Sequence, residues 1–175
     1  MQDDYYMQLA LELADQAEAQ GEVPVGAVMV HDGKIIGRGY NQVITLADPS
    51  AHAEMQALKE AAHYLQNYRV LDTTLYVTLE PCPMCAGALV HGRVKRLVYA
   101  AADLKTGACG SVFNLTQDPR LNHQLEVTAG LMAEPCAEKL SNFFRQRRAA
   151  KKALKKAARA YQSSSDSAGS DPSSS

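Results

Sequence analysis

The sequence predicts an α/β domain three layers deep, with a mixed sheet of five strands between helices. Three observations predict it. Short β-rich apolar runs alternate with segments of helical periodicity, the pattern of a sheet covered on both faces. The first two runs are joined by Asp32-Gly33, a hairpin signal, so the sheet opens antiparallel before the alternation begins. A chain of 175 residues, 46% of them hydrophobic, is also long enough to bury one core without disulfides.

The elements follow in order. Tyr6, Leu9, Ala10, Leu13, Ala14 and Ala17 recur at helical spacing, which predicts a helix from Asp3 to Gln20 with one buried face, stopped by Gly21. Val25 to Val30 and Lys34 to Tyr40 are the two hairpin strands, and Asn41 to Pro49 is a loop. Asp48-Pro49-Ser50 places a capping residue beside an early proline, so a second helix is expected to start there and run through His52 to about Tyr64. Thr74 to Leu79 is the third strand. Pro81-Cys82-Pro83-Met84-Cys85 follows at once and leads into a short helix ending near His91. Val94 to Ala100 and the shorter Leu125 to Thr128 complete the sheet, separated by a loop, Asp103 to Gly110, that contains Lys105-Thr106-Gly107. A long helix is expected from about Pro135 through the basic run that follows. Residues 163–175 hold eight Ser with Asp, Gly and Pro and are expected to be disordered. The organisation is therefore a domain over 1–150, a basic helical extension over 151–162 and a Ser-rich tail over 163–175.

Charge is divided along the chain. Residues 1–144 carry a net charge of −7, and residues 145–160 carry +8 with no acidic residue. A basic segment on an acidic body suits a polyanionic partner at that segment; a solvated basic tail is the plain alternative. No run of eighteen uncharged apolar residues is present, which argues against a membrane span. The opening Met1-Gln2-Asp3-Asp4 lacks the basic and apolar parts of a secretory signal, so the expected location is the cytoplasm.

The chemistry-bearing residues are few. The four cysteines, at 82, 85, 109 and 136, are too few and too unevenly spaced for a disulfide scaffold. Cys82 and Cys85 at a helix start point their sulfurs the same way, and the positive end of the helix favours thiolate, the metal-binding form. Taken alone, Cys-x-x-Cys fits half a structural zinc site, a redox pair or a catalytic metal site. Cys109 and Cys136 stand alone and are read as ordinary thiols. His52 supplies a third ligand, with Glu54 two residues on. Three protein ligands leave a fourth position for water, the arrangement of catalytic zinc. Glu54 then lies near enough to take that water's proton and deliver it to a substrate nitrogen. Helical positions i and i+2 do not share a face, so Glu54 is expected beside the ligands rather than among them.

His52-Ala53-Glu54 together with Pro81-Cys82-Pro83-Met84-Cys85 resembles the zinc nucleobase-deaminase signature. The chain further resembles the bacterial tRNA-specific adenosine deaminases, a branch of the cytidine-deaminase superfamily. The resemblance covers roughly residues 5–150. It is carried by Glu22-Val23-Pro24-Val25-Gly26-Ala27-Val28, Asp48-Pro49-Ser50-Ala51-His52-Ala53-Glu54, Leu75-Tyr76-Val77-Thr78-Leu79-Glu80-Pro81-Cys82, Asp103-Leu104-Lys105-Thr106-Gly107-Ala108 and Phe143-Phe144-Arg145-Gln146-Arg147-Arg148. It implies a cytidine-deaminase-like α/β/α fold and hydrolysis of adenosine to inosine at the wobble position of a tRNA anticodon. It also implies a homodimer with one zinc ion per subunit. It implies that Asn41 hydrogen-bonds the flipped base, that Asp103 and Lys105 belong to a loop touching RNA, and that Phe144, Arg145 and Arg148 on the last helix contact the anticodon loop.

The residues themselves suit that task, with Arg for phosphate and Phe for stacking. One of Phe143 and Phe144 is expected to pack inward and the other to stand free. Three other readings stay open on the sequence: deamination of a free base, nucleoside or nucleotide; a zinc-stabilised RNA-binding module; and a redox protein. Glu54 separates the first from the second, because a structural zinc needs no carboxylate beside it.

Overall fold

The computed structural model describes residues 2–169. In chain order the elements are α1 (Gln2–Ala19), β1 (Gly26–His31), β2 (Lys34–Tyr40), α2 (Ala53–Leu65), β3 (Thr73–Leu79), α3 (Pro83–His91), β4 (Arg96–Ala101), β5 (Glu126–Ala129) and α4 (Ala133–Ala168). The strands form one sheet in the order β2-β1-β3-β4-β5. β1 is antiparallel to β2 and β3, whereas β3, β4 and β5 run parallel. The chain divides after Leu140: residues 1–140 form the body, and α4 from Ser141 onward is a unit of its own. That division falls ten residues before the expected domain end at 150.

The sheet is apolar on both faces, and the strand period of two sorts its residues between them. Ala27 and Met29 of β1, Leu75 and Val77 of β3, and Leu97 and Tyr99 of β4 pack with Ala53, Ala57 and Ala61 of α2 and Ala86, Leu89 and Val90 of α3. Val28, Val30, Tyr76, Val98 and Ala100 face the other way, onto Tyr6, Met7, Ala10 and Leu13 of α1 and onto Cys136 in the first turns of α4. Helices thus cover both faces, the three-layer mixed α/β arrangement expected from the sequence. The hairpin closes as Asp-Gly predicts: Asp32 and Gly33 have φ of 48° and 72°, the left-handed pair of a tight two-residue turn.

α2 lies directly on the backbone of β2. A Cβ at Gly39 would stand 2.2 Å from the Ala53 carbonyl oxygen and 2.7 Å from the Ala57 nitrogen, and one at Gly37 would stand 2.2 Å from the Ala57 carbonyl. Only glycine permits that approach, and it fixes the first turn of α2 against the sheet.

Two expectations need correction. The second helix starts at Ala53, not at Asp48-Pro49-Ser50. There Asp48 Oδ1 accepts hydrogen bonds from the Ser50 N–H at 2.8 Å and the Ser50 hydroxyl at 2.7 Å, so the capping-type residue closes a turn instead. The Ser-rich segment is not irregular from 163: α4 continues through Ala168. The hydroxyls of Ser163, Ser164, Ser165 and Ser167 each donate to a carbonyl three residues back, at 2.8 to 3.0 Å, which ties those side chains to the helix. The rest of the expected tail, 170–175, lies outside the described residues. Among the described residues no helix is long and apolar enough to cross a membrane.

Candidate active site

The site forms where α2 and α3 begin. His52 is the residue before the first turn of α2, and Cys82 holds the same place before α3, whose first helical residue is Pro83. Neither side chain caps its own helix, which leaves both free to face each other. His52 Nδ1 lies 3.7 Å from Cys82 Sγ and 3.5 Å from Cys85 Sγ. A tetrahedral zinc with N at 2.0–2.1 Å and S at 2.3 Å requires a nitrogen–sulfur separation of about 3.6 Å, so the side chains already stand at ligand spacing. The ligand atoms of His52, Cys82 and Cys85 all lie within 4.8 Å of one another, and among the described residues this group holds three members. Two soft sulfurs and an imidazole suit zinc, and a set of three leaves a coordination position open. Cys109 and Cys136 are buried thiols apart from this group, and burial pushes them up to about 12 and about 11.

The electrostatics of the group set its two cysteines apart. The Cys85 thiol beside Cys82, helped by His52, holds Cys82 down at about 4, as a thiolate. The same contact raises Cys85 well above the usual thiol range, with burial and Glu54 adding to it. His52 is raised chiefly by its hydrogen bond to Cys82. Glu54 is 4% exposed, and burial pushes its carboxyl upward. Its Oε2 accepts a hydrogen bond from the Cys85 sulfur at 3.0 Å. A buried carboxyl with a raised pKa beside such a group is of the kind that takes up and gives back a proton.

Two loops frame this centre, and each is held by a buried glutamate to which the sequence reading gave no role. Glu22, fully buried, accepts from the Ile44 N–H at 3.1 Å and from the Thr45 N–H and hydroxyl at 2.7 Å each. Glu80, 2% exposed, accepts from the N–H groups of Asp103 at 3.1 Å, Cys109 at 3.0 Å and Ser111 at 3.1 Å, and from the Ser111 hydroxyl. A Cβ at Gly107 would stand 2.4 Å from the Glu80 carboxyl, so the loop closes over Glu80 only with glycine there. The one sequence cue was an acid at each end of a buried strand region, before Val23-Pro24-Val25 and before Pro81-Cys82.

Of the residues singled out for substrate contact, Asn41 stands beside the metal ligands. Its Oδ1 accepts from the Ala53 N–H at 2.9 Å, and its Nδ2 donates to the Val23 carbonyl at 3.2 Å. Asn41 thus supplies the cap that His52 does not. Asp103 uses its carboxylate within its own loop, accepting from the N–H groups of Lys105 and Thr106 and from the Thr106 hydroxyl at 2.9 to 3.1 Å. Lys105 is exposed. Phe144, Arg145 and Arg148 belong to the second unit. There Phe143 is buried and Phe144 is 40% exposed, their rings meeting edge to face at 5.5 Å. Arg145 donates to Asn142 at 3.0 Å, and Arg147 stands over the Phe143 ring at 5.6 Å.

Residues 1–148 match the family described as MafB19-like deaminase. The chain is 59% identical over 151 residues to a tRNA-specific adenosine deaminase of Haemophilus influenzae, covering 86% of this chain and 87% of that one. It is 50% identical over 155 residues to a protein of the same name from Bacillus subtilis, covering 89% and 96%. Among solved structures it resembles one from a study of A-to-I editing by tRNA:A34 deaminases at the wobble position of transfer RNA, with a TM-score of 0.75 and 42% identity over 78% of this chain and 99% of that one. A guanine deaminase from Nitrosomonas europaea is a more distant neighbour, with a TM-score of 0.66 and 28% identity over 80% of this chain and 83% of that one.

Proposed function

The chain belongs to the MafB19-like deaminase family and, within it, with the tRNA-specific adenosine deaminases, and on that premise we propose that it converts adenosine to inosine at the wobble position of a tRNA anticodon. The three-ligand group of His52, Cys82 and Cys85 with the buried Glu54 carboxyl against it supports deamination, and the observation that carries the choice of tRNA is the identity of 59% and 50% to tRNA-specific adenosine deaminases. Those three residues would hold one zinc ion per subunit. A zinc ion there would supply the Lewis acidity that activates a water to attack the carbon bearing the amino group. Glu54 accepts the proton from that water and returns it to the departing nitrogen, and the balance is adenosine and water to inosine and ammonia. Asn41 holds the start of α2 in place and hydrogen-bonds the base extruded from the anticodon loop. Phe144, Arg145 and Arg148 take the loop, by stacking and by phosphate contact, and the exposed Lys105 adds a further cation. The working form is a homodimer in the cytoplasm, where its tRNA substrate resides.

Deamination of a free base is the second reading, favoured by the neighbouring guanine deaminase. The higher identity and fuller coverage of the tRNA deaminases weigh against it. The test is to incubate the protein with tRNA and sequence the product for adenosine read as guanosine, with free adenosine, cytidine and guanine in parallel. Conversion confined to the wobble adenosine is expected. Turnover of free guanine or cytidine without change to tRNA would overturn the reading.

A further inference from the structure

From the end of the family match onward α4 carries a charge pattern of which the proposed site uses only the first member, Arg148. Arg148, Lys151, Lys152, Lys155, Lys156 and Arg159 are all exposed and all helical. At 3.6 residues per turn they fall within an arc of about 140° on one side of the helix. The opposite side is mostly alanine, with Leu154 and Tyr161 as its large apolar groups. No acidic residue occurs between Glu138 and Asp166, and none of the six cations has an ion-pair partner among the described residues. The stripe is therefore uncompensated positive charge on a straight rod.

Its spacing is informative. At a rise of 1.5 Å per residue, the six charges span about 17 Å, or roughly one every 3 Å. Projected on its axis, a DNA duplex carries one phosphate of each strand about every 3.4 Å, so the linear charge densities of helix and duplex are of the same order. An anionic membrane is the other polyanion such a helix could meet, but interfacial helices bury a broad face of large apolar side chains. Here that face offers two. The acidic balance of residues 1–144 further leaves this segment as the attractive surface for a polyanion.

We propose that residues 148–159 of α4 form a phosphate-tracking surface that binds a helical stem of the tRNA, independently of its sequence. The proposal rests on the tRNA reading above. Cations already placed along one helix require no backbone ordering on binding, and each neutralised phosphate releases counterions. The contribution should appear in affinity and in salt dependence, not in the choice of base.

The test compares the full chain with a variant in which Lys151, Lys152, Lys155 and Lys156 are all replaced by Gln, which keeps helix propensity and removes charge. Binding of full-length tRNA is measured by fluorescence anisotropy over a salt series. The variant is expected to bind about 10- to 100-fold more weakly near 0.1 M salt, with a salt slope lower by about 3. KM for tRNA should rise with kcat kept, and Lys→Arg at all four positions should restore binding. Unchanged affinity and slope in a variant of normal helix content would overturn the proposal while leaving the enzyme's reaction intact. Loss of binding to phosphatidylserine vesicles with tRNA affinity unchanged would overturn it in favour of a membrane contact. Failure of the unsubstituted protein to deaminate tRNA would instead strike the underlying reading.

Discussion

Two buried glutamates stand two residues from a metal-ligating position: Glu54 after His52, and Glu80 before Cys82. Both are nearly inaccessible, at 4% and 2% exposure. Their surroundings are opposite. Glu80 accepts four hydrogen bonds, three from backbone N–H groups and one from the Ser111 hydroxyl, all from one loop. Glu54 accepts from the Cys85 sulfur and its own backbone N–H, and burial raises its pKa. A carboxylate with a full set of fixed donors is a structural anchor, because its charge is already neutralised by dipoles that cannot leave. One buried with few donors has its pKa raised, the direction a proton carrier requires. Burial alone does not mark the catalytic acid; the donor set does.

The sharpest way to break this comparison is Glu54→Ala. Deamination should fall by at least ~10²–10⁴, the usual contribution of a positioned acid–base group, while bound zinc and the melting temperature stay close to those of the parent. Inosine formation, metal content and thermal melts read this out together, and substantial residual activity would remove Glu54 from the proton path.

Glu80→Gln should give the reverse pattern. It places an amide NH₂ against donors that need an acceptor, at a cost of about 1–3 kcal/mol. Stability should drop, zinc should remain, and activity should fall only as far as the 103–111 loop shifts. A melt unchanged from the parent would refute the anchoring role.

A third carboxylate, remote from the site, calibrates the other two. Asp3 is held at about 2, mainly by the paired Arg96 guanidinium at 2.8 and 2.9 Å and by the Tyr76 hydroxyl. Its folded pKa lies below the unfolded value, so the stabilisation is fully present above pH 3.8 and is lost as pH falls through about 2. The pair is partly exposed, so Asp3→Asn should cost only about 0.5–1 kcal/mol at neutral pH. The gap between parent and variant melts should shrink as pH falls from 3.8 through about 2, and a gap undiminished at pH 2 would show that the charge is not its source.

What was legible in the sequence follows from range. His52-x-Glu54 and Cys82-x-x-Cys85 could be read because each half of the group sits within one helical turn, where spacing dictates direction. The hairpin was legible for the same reason, since Asp32-Gly33 specifies a backbone shape on its own. Asp48-Pro49-Ser50 misled because the property that caps a helix, a short acceptor side chain bonding an N–H two residues on, also closes a turn. The helical continuation over 163–168 was hidden by composition: serine discourages a helix that must start alone but can extend one already formed. Glu22 and Glu80 carried no readable role because their partners, Ile44-Thr45 and Asp103 to Ser111, lie more than twenty residues away and contribute mostly backbone amides, which have no signature in the side chains.

The strand order has a consequence in time. His52 follows β2, Cys82 follows β3, and β1 lies between those two strands, paired to both. The hairpin can form as soon as its residues leave the ribosome, but it brings only the histidine. Both sulfurs arrive when β3 docks on β1, through pairs such as Met29 with Leu75 that close a loop of more than forty residues. Until then no stretch of nascent chain offers all three ligands to an ion. Assembly of the complete three-residue group therefore marks the moment the central strands join.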